Sequence, residues 1–198
     1  MTNYPNGQKI LTKQLNHPLN RNLKKSRLGT NFEKAINDSN SYYLNKGMAI
    51  IHKKPTPVQV VKVDFPARSK AKITEAYYKT PSTTDYNGIY RGKYLDFEAK
   101  SCQTLAFPFS HLFQHQITHL NEVSKHGGIS FLLIEFVKCQ EIYLLPTNKL
   151  MDLYLHSLNG GRKSIPYQYF KENGFLIIPS FQPRIDYLKV VDILIEKS

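Results

Sequence analysis

Pro81-Ser-Thr-Thr-Asp85-Tyr-Asn-Gly-Ile-Tyr90-Arg-Gly-Lys-Tyr-Leu-Asp-Phe-Glu98-Ala-Lys100 is the stretch on which the fold turns. Two runs rich in Tyr, Ile, Leu and Phe flank Arg91-Gly92-Lys93, a pattern that predicts a β-hairpin with its glycine in the turn. A loop of Arg91-Gly92 sets Asp85 directly across from Glu98. A loop of Gly92-Lys93 sets Asp85 across from Lys100 instead, with Glu98 one diagonal away on the same face. A three-residue loop moves Asp85 to the other face, because side chains alternate along a strand.

Leu95, Phe97 and Ala99 alternate with Tyr94, Asp96, Glu98 and Lys100. The expectation is that the apolar set rests on a core and the polar set faces a cleft. Two carboxylates on one face repel each other unless a cation lies between them. Oxygen donors of this kind suit Mg²⁺, with Mn²⁺ able to substitute. Such an ion lowers the pKa of a water and offsets charge on a phosphate, and Lys100 is spaced to hold the water or the developing charge.

Asp85, twelve residues and then Glu98-Ala-Lys100 resembles the PD-(D/E)xK nuclease signature, with Pro81 upstream of the aspartate rather than beside it. The surrounding words are more specific. Arg27-Leu-Gly-Thr-Asn-Phe-Glu33, Asp64-Phe-Pro66, Thr84-Asp85-Tyr-Asn-Gly-Ile-Tyr90, Tyr94-Leu-Asp-Phe-Glu-Ala-Lys100 and His115-Gln116-Ile117 follow one another in an order that resembles the RecU-type Holliday junction resolvases of Gram-positive bacteria. The resemblance runs from about residue 27 to 195. It implies an α/β, restriction-endonuclease-like fold, a mixed β-sheet flanked by helices with a projecting basic stalk. It implies a metal set of Thr83, Asp85, Glu98 and Gln116, a position for Glu33 near that site, a homodimer acting on four-way junction DNA, and a recombinase as a further partner. A two-fold dimer suits a junction that offers two equivalent strands.

The chain has 198 residues, enough for one domain with a full core, and 27 Lys and Arg against 15 Asp and Glu leave a net charge of +12. So basic a balance points to a polyanion, nucleic acid foremost. Neither an apolar span of membrane length nor a lipidation motif or secretory leader is present, so the expected location is the cytoplasm. Cys102 and Cys139 lack zinc-like spacing and read as free thiols.

Residues 1–31 hold no acidic residue, and residues 1–27 are expected to form a flexible basic arm ahead of a nuclease domain spanning 28–198. Arg21, Lys24, Lys25 and Arg27 read either as part of a solubilising tail or as contacts along a phosphate backbone. An amphipathic helix is predicted from Leu28 to about Asn45, and strands over Met48–His52 and Val58–Asp64. The region 62–83 is too charged for core. Its Arg68, Lys70, Lys72, Tyr77, Tyr78 and Lys79 offer cations to phosphates and aromatic faces to unstacked bases, and the resemblance makes it the stalk.

Ser110 is placed to cap a helix reaching about His126, with Leu112, Phe113, Ile117, Leu120 and Val123 on its buried face and Gln116 on or beside that stripe. His111, His115 and His119 recur every four residues and read as an exposed row rather than a metal stripe. Strands over Ile129–Val137 and Glu141–Leu145, a helix over Thr147–Leu158, a strand over Phe175–Ile178 and a last helix carrying Ile185, Leu188, Val191 and Leu194 complete the reading. Two other readings stay open: a non-catalytic nucleic-acid-binding protein with structural carboxylates, and a nuclease of the same fold acting on linear duplex DNA.

Overall fold

The computed structural model describes residues 21–79 and 83–196, the first ten of these and Arg68 by backbone alone. Helix α1 (Arg21–Asn45) leads into strand β1 (Ala49–Lys53), then β2 (Val58–Asp64) and β3 (Lys72–Tyr78). The hairpin follows as β4 (Tyr86–Tyr90) and β5 (Lys93–Cys102), then short β6 (Ala106–Pro108) and α2 (Gln114–Lys125). The chain closes with β7 (Ile129–Phe136), β8 (Glu141–Pro146), α3 (Thr147–Leu158), β9 (Ser164–Pro166), α4 (Tyr167–Asn173), β10 (Phe175–Ile177) and α5 (Leu188–Glu196).

The turn of the central hairpin is Arg91-Gly92, with φ of +49° and +74°. Two successive left-handed residues are what a tight turn of this hand needs, and glycine takes the second without steric cost. That choice sets the register: Tyr86 pairs with Phe97 and Tyr90 with Lys93. Continued by one residue, the ladder brings Asp85 opposite Glu98.

Six strands form the main sheet in the order β1-β4-β5-β7-β8-β10. Only the pairing of β5 with β7 is parallel among them. The helix α2 makes that crossover, as parallel neighbours require. Gly88 lets β1 press onto β4, since a Cβ there would fall 2.1 Å from the carbonyl oxygen of Ile50.

Both faces of the sheet are covered. On one, Phe32, Ile36 and Tyr43 of α1 pack with Phe97, Phe131, Tyr187 and Val191. On the other, Ile117 and Leu120 of α2 and Leu150 of α3 pack with Leu132, Ile134 and Leu145. The mixed sheet flanked by helices expected from the resemblance is therefore present.

Several local expectations are corrected. Helix α1 starts at Arg21, so Arg21, Lys24, Lys25 and Arg27 belong to the helix and not to an arm; their side chains, like residues 1–20 and Pro81, lie outside the description. Val58–Asp64 is no core strand. It pairs antiparallel with β3 to make a separate two-stranded ribbon, and every residue of both strands is exposed. Its apolar alternation predicts a half-buried side packed on a core, yet Val58, Val60 and Val63 remain 43–46% exposed. The ribbon carries Lys70, Lys72, Tyr77 and Tyr78 away from the sheet, with Lys79 at its base and the Arg68–Lys70 turn at its tip.

Ser110 sits in a 3₁₀ turn and does not cap α2, which begins after Phe113. Phe113 itself is exposed, its ring stacked on His115. Ile185 is buried just before α5 rather than within it, and the short β6, β9 and α4 had no periodic signal long enough to read.

Candidate active site

The hairpin and α2 bring the expected residues together at one end of β5. The backbone N–H of Asp85 donates to Glu98 Oε2 at 3.1 Å, and the N–H of Ala99 donates to Asp85 Oδ2 at 3.4 Å. Each carboxylate is thus held by the other strand's backbone. Lys100 Nζ lies 2.5 Å from Glu98 Oε1, and Gln116 Nε2 donates to the same oxygen at 2.6 Å. The Gln116 carbonyl oxygen accepts the backbone N–H of Phe113 at 3.0 Å. That pair of partners fixes which way the amide points, because only its NH₂ end can face a carboxylate.

Glu98 is fully buried, as is Asp96, because α2 lies over the polar face of β5. The expectation that this face lines an open cleft is therefore corrected. Only the stretch beyond Glu98 opens, into a cleft of about 380 Å³ lined by Glu33, Asp85, Tyr86, Lys100 and His111 among others. Burial and then the charge of Asp85 push the Glu98 carboxyl up to about 7, with Lys100 opposing. A buried acid held half-protonated near neutrality beside a second carboxylate is a site that gains from a divalent cation.

The donor chemistry fits a hard ion. Among the described residues no group of three or more His, Cys, Asp or Glu side chains is gathered for a metal. Two carboxylates supplemented by neutral oxygens and water are the set Mg²⁺ prefers. Gln116 is in place beside Glu98, though both ends of its amide are already engaged. Thr83 is half-buried two residues before Asp85, and among the described residues no hydrogen bond ties its hydroxyl to the carboxylates.

Glu33 reaches the same cleft from α1, with its Oε1 2.7 Å from Lys53 Nζ. The Tyr86 hydroxyl is buried in the cleft wall with no partner among the described residues. Burial first, then the charges of Glu33, Asp85 and Glu98, raise its pKa above the ordinary tyrosine value.

Sequence reasoning passed over Asp96. Its carboxylate accepts from Lys54 Nζ at 2.7 Å, Tyr94 Oη at 2.9 Å and the Thr84 hydroxyl, and lies 3.1 Å from His119 Nε2. His119 is thus tied inward rather than standing in an exposed row. The signal was present in the polar alternation of β5, but a lone strand aspartate gives no sign of which helix will cover it.

A family model described as Recombination protein U matches residues 27–193. The chain belongs to the RecU family. Its relatives in that family extend over nearly its whole length. The Holliday junction resolvase RecU of Pediococcus pentosaceus is 47% identical over 201 residues, covering 98% of both chains. That of Lactococcus lactis subsp. lactis is 52% identical over 169 residues, covering 85% of this chain and 78% of the relative. That of Geobacillus sp. is 47% identical over 193 residues, covering 96% and 95%. Among solved structures, Archaeoglobus fulgidus Hjc, a Holliday junction resolvase from an archaeal hyperthermophile, overlays with a TM-score of 0.45 at 13% identity, over 74% of this RecU-family chain and 93% of its own.

Proposed function

We propose that this RecU-family chain is a structure-selective endodeoxyribonuclease that resolves Holliday junctions by metal-dependent, paired nicking during recombination and repair. The observation that carries the reading is the interlocked Asp85–Glu98 pair with Lys100 and Gln116 on Glu98, at the mouth of a cleft, in a chain so similar to named resolvases.

Asp85 and Glu98 would hold Mg²⁺ or Mn²⁺, with Gln116 and Thr83 supplying neutral oxygens if the Gln116 amide exchanges its present partners. When bound, the ion lowers the pKa of a water and offsets charge on the phosphate. The chain's own groups supply the rest. Gln116 and the Asp85 N–H lock Glu98 in one orientation. Lys100, already beside the carboxylates, meets the negative charge that builds on the non-bridging phosphate oxygens as water attacks phosphorus and the bond to the leaving oxygen breaks. Glu33 lies at the cleft edge, where it can take the proton that the water gives up.

The exposed ribbon is the DNA-reading element in this account. Tyr78 and Tyr77 present their rings to solvent at 84% and 61% exposure near the base of the ribbon, while Lys70 and Lys72 stand at its tip. Aromatic faces and cations spread along one exposed ribbon suit the unstacked bases and crowded phosphates at a junction centre. A two-fold homodimer, acting in the cytoplasm, would supply matching sites for two strands, and a recombinase is a further partner. No helix among the described residues is long and apolar enough to cross a membrane.

The test is cleavage of a mobile four-way junction and of a linear duplex, with Mg²⁺ or with EDTA, by the wild type and by Asp85→Asn. Metal-dependent paired nicks confined to the junction and absent from the variant are the expected result. Junction binding without cutting under any metal would leave a DNA-binding protein, and equal cutting of the duplex would leave a nuclease of another substrate class.

A further inference from the structure

Two residues that flank the ribbon in the sequence, Lys54 and Thr84, meet on one buried carboxylate, Asp96. Lys54 follows β1 directly, and its ammonium, 17% exposed, sits 2.7 Å from Asp96 Oδ2. Thr84 returns from the ribbon, is 4% exposed, and gives its hydroxyl proton to Asp96 Oδ1. The two also meet each other: Lys54 Nζ donates to Thr84 Oγ1 at 3.0 Å. Tyr94 and His119 close the remaining sides of the carboxylate from β5 and α2.

The ribbon has no other described tether. Among the described residues no hydrogen bond or ion pair links Val58–Tyr78 to the main sheet. The base of the ribbon closes where the Lys79 N–H donates to the Pro57 carbonyl at 3.0 Å, three residues along the chain from Lys54 and its contact with Asp96. A buried carboxylate, even with its oxygens satisfied as here, stabilises no better than a well-packed apolar residue of like volume, so stability alone does not account for an ionic node at this place. It makes sense as a means of fixing one geometry.

The same node reaches the catalytic hairpin. Lys54 N–H donates to the Asp85 carbonyl at 2.8 Å, Thr84 precedes Asp85, and Asp96 stands two residues before Glu98 on the same strand face. We infer that Asp96, through Lys54 and Thr84, is the positioning residue that holds the ribbon at a fixed angle to the Asp85–Glu98 site, so that junction shape is read relative to the scissile phosphate. This rests on the ribbon being the DNA-reading element of a resolvase.

The experiment measures dissociation constants for a four-way junction and for a linear duplex of equal length in EDTA, where nothing is cut. Wild type is compared with Lys54→Met, Thr84→Val, Asp96→Asn and Lys54→Arg, each checked for a cooperative unfolding transition. Loss of the anchor should lower the junction-over-duplex preference about tenfold in Lys54→Met and Thr84→Val, with duplex affinity changed by no more than about threefold. Lys54→Arg keeps a cation within reach of Asp96 and should restore the preference to within about twofold of wild type.

A merely structural role would lower the active fraction for both substrates and leave their ratio alone. An unchanged ratio in both Lys54→Met and Thr84→Val overturns the inference even if Asp96→Asn fails to fold. Cleavage by the wild type is scored separately: if it cuts no junction, the resolvase reading falls while the ratio still decides whether Asp96 orients the ribbon.

Discussion

Asp85 and Glu98 face each other across the central hairpin, the backbone N–H of Asp85 donating to Glu98 Oε2 while the Ala99 N–H donates to Asp85 Oδ2. Main-chain N–H groups therefore fix both acids relative to each other, while Lys100 and Gln116 additionally hold Glu98 Oε1. The pairing of the two carboxylates is built into the hairpin and needs no bound cation to form.

Asp85→Asn and Glu98→Gln should each reduce junction cleavage by about three orders of magnitude or more, equivalent to ~4 kcal/mol of transition-state stabilisation. Junction affinity in EDTA should hold or rise, because a negative charge near phosphate is removed. Single-turnover cleavage and gel-shift titration on the same preparations check both halves. Normal cutting by either variant would remove the pair from the chemistry.

Glu98 titrates at about 7 when folded against an ordinary 4.5, its carboxyl raised mainly by burial and by Asp85. Between those values the folded chain binds more protons than the unfolded one, so metal-free stability falls as pH rises and the full penalty is present above pH 7. Replacing Glu98 with Gln removes it, which should stabilise the metal-free protein by up to about 3 kcal/mol at pH 8 and hardly at all at pH 4.5. Urea unfolding in EDTA at several pH values would show the gap between variant and wild type widening with pH. A constant gap would contradict the assignment.

Gln116 donates to Glu98 Oε1 and accepts from the Phe113 N–H, so it orients the carboxylate that the proposed function assigns to the metal. Gln116→Ala should raise the Mg²⁺ concentration for half-maximal cleavage by about 10- to 100-fold. The rate at saturating Mg²⁺ should recover part of the loss. A rate defect that no amount of Mg²⁺ improves would place Gln116 in the chemical step instead.

Tyr78, the most exposed of the ribbon aromatics, should contribute through its ring. Tyr78→Ala is expected to weaken junction binding by about 1–3 kcal/mol and Tyr78→Phe to leave it unchanged. Lys70→Ala with Lys72→Ala should instead flatten the slope of log affinity against log salt by about two. Fluorescence anisotropy across a salt series separates these effects. Equal losses on a linear duplex from Tyr78→Ala would argue against a junction-reading role.

Some of this was legible beforehand, for reasons that can be named. Three loops around Gly92 fit the sequence, and the pairing of Tyr90 with Lys93 together with the positive φ of Arg91 and Gly92 selects Arg91-Gly92. Gln116 could be set on the buried face of α2 because helical spacing does not depend on context. Val58–Asp64 deceived because an alternating strand looks the same whether its apolar side meets a core or lies open on a ribbon. Spacing put Phe113 on the buried face and Ser110 at the cap, whereas α2 begins one turn later with exposed Phe113 at its cap, whose N–H is bound by the Gln116 side chain.

By itself the sequence determined the alternation of β5, the spacing of Asp85, Glu98 and Lys100 and the basic charge, all properties of local periodicity and composition. Only the tertiary structure decided that α2 buries Glu98 and Asp96, that Lys54 and Thr84 meet on Asp96 from distant points of the chain, and that β2 leaves the sheet. Desolvation, and the contacts that repay it, depend on which elements pack together, and that is settled by the whole chain at once.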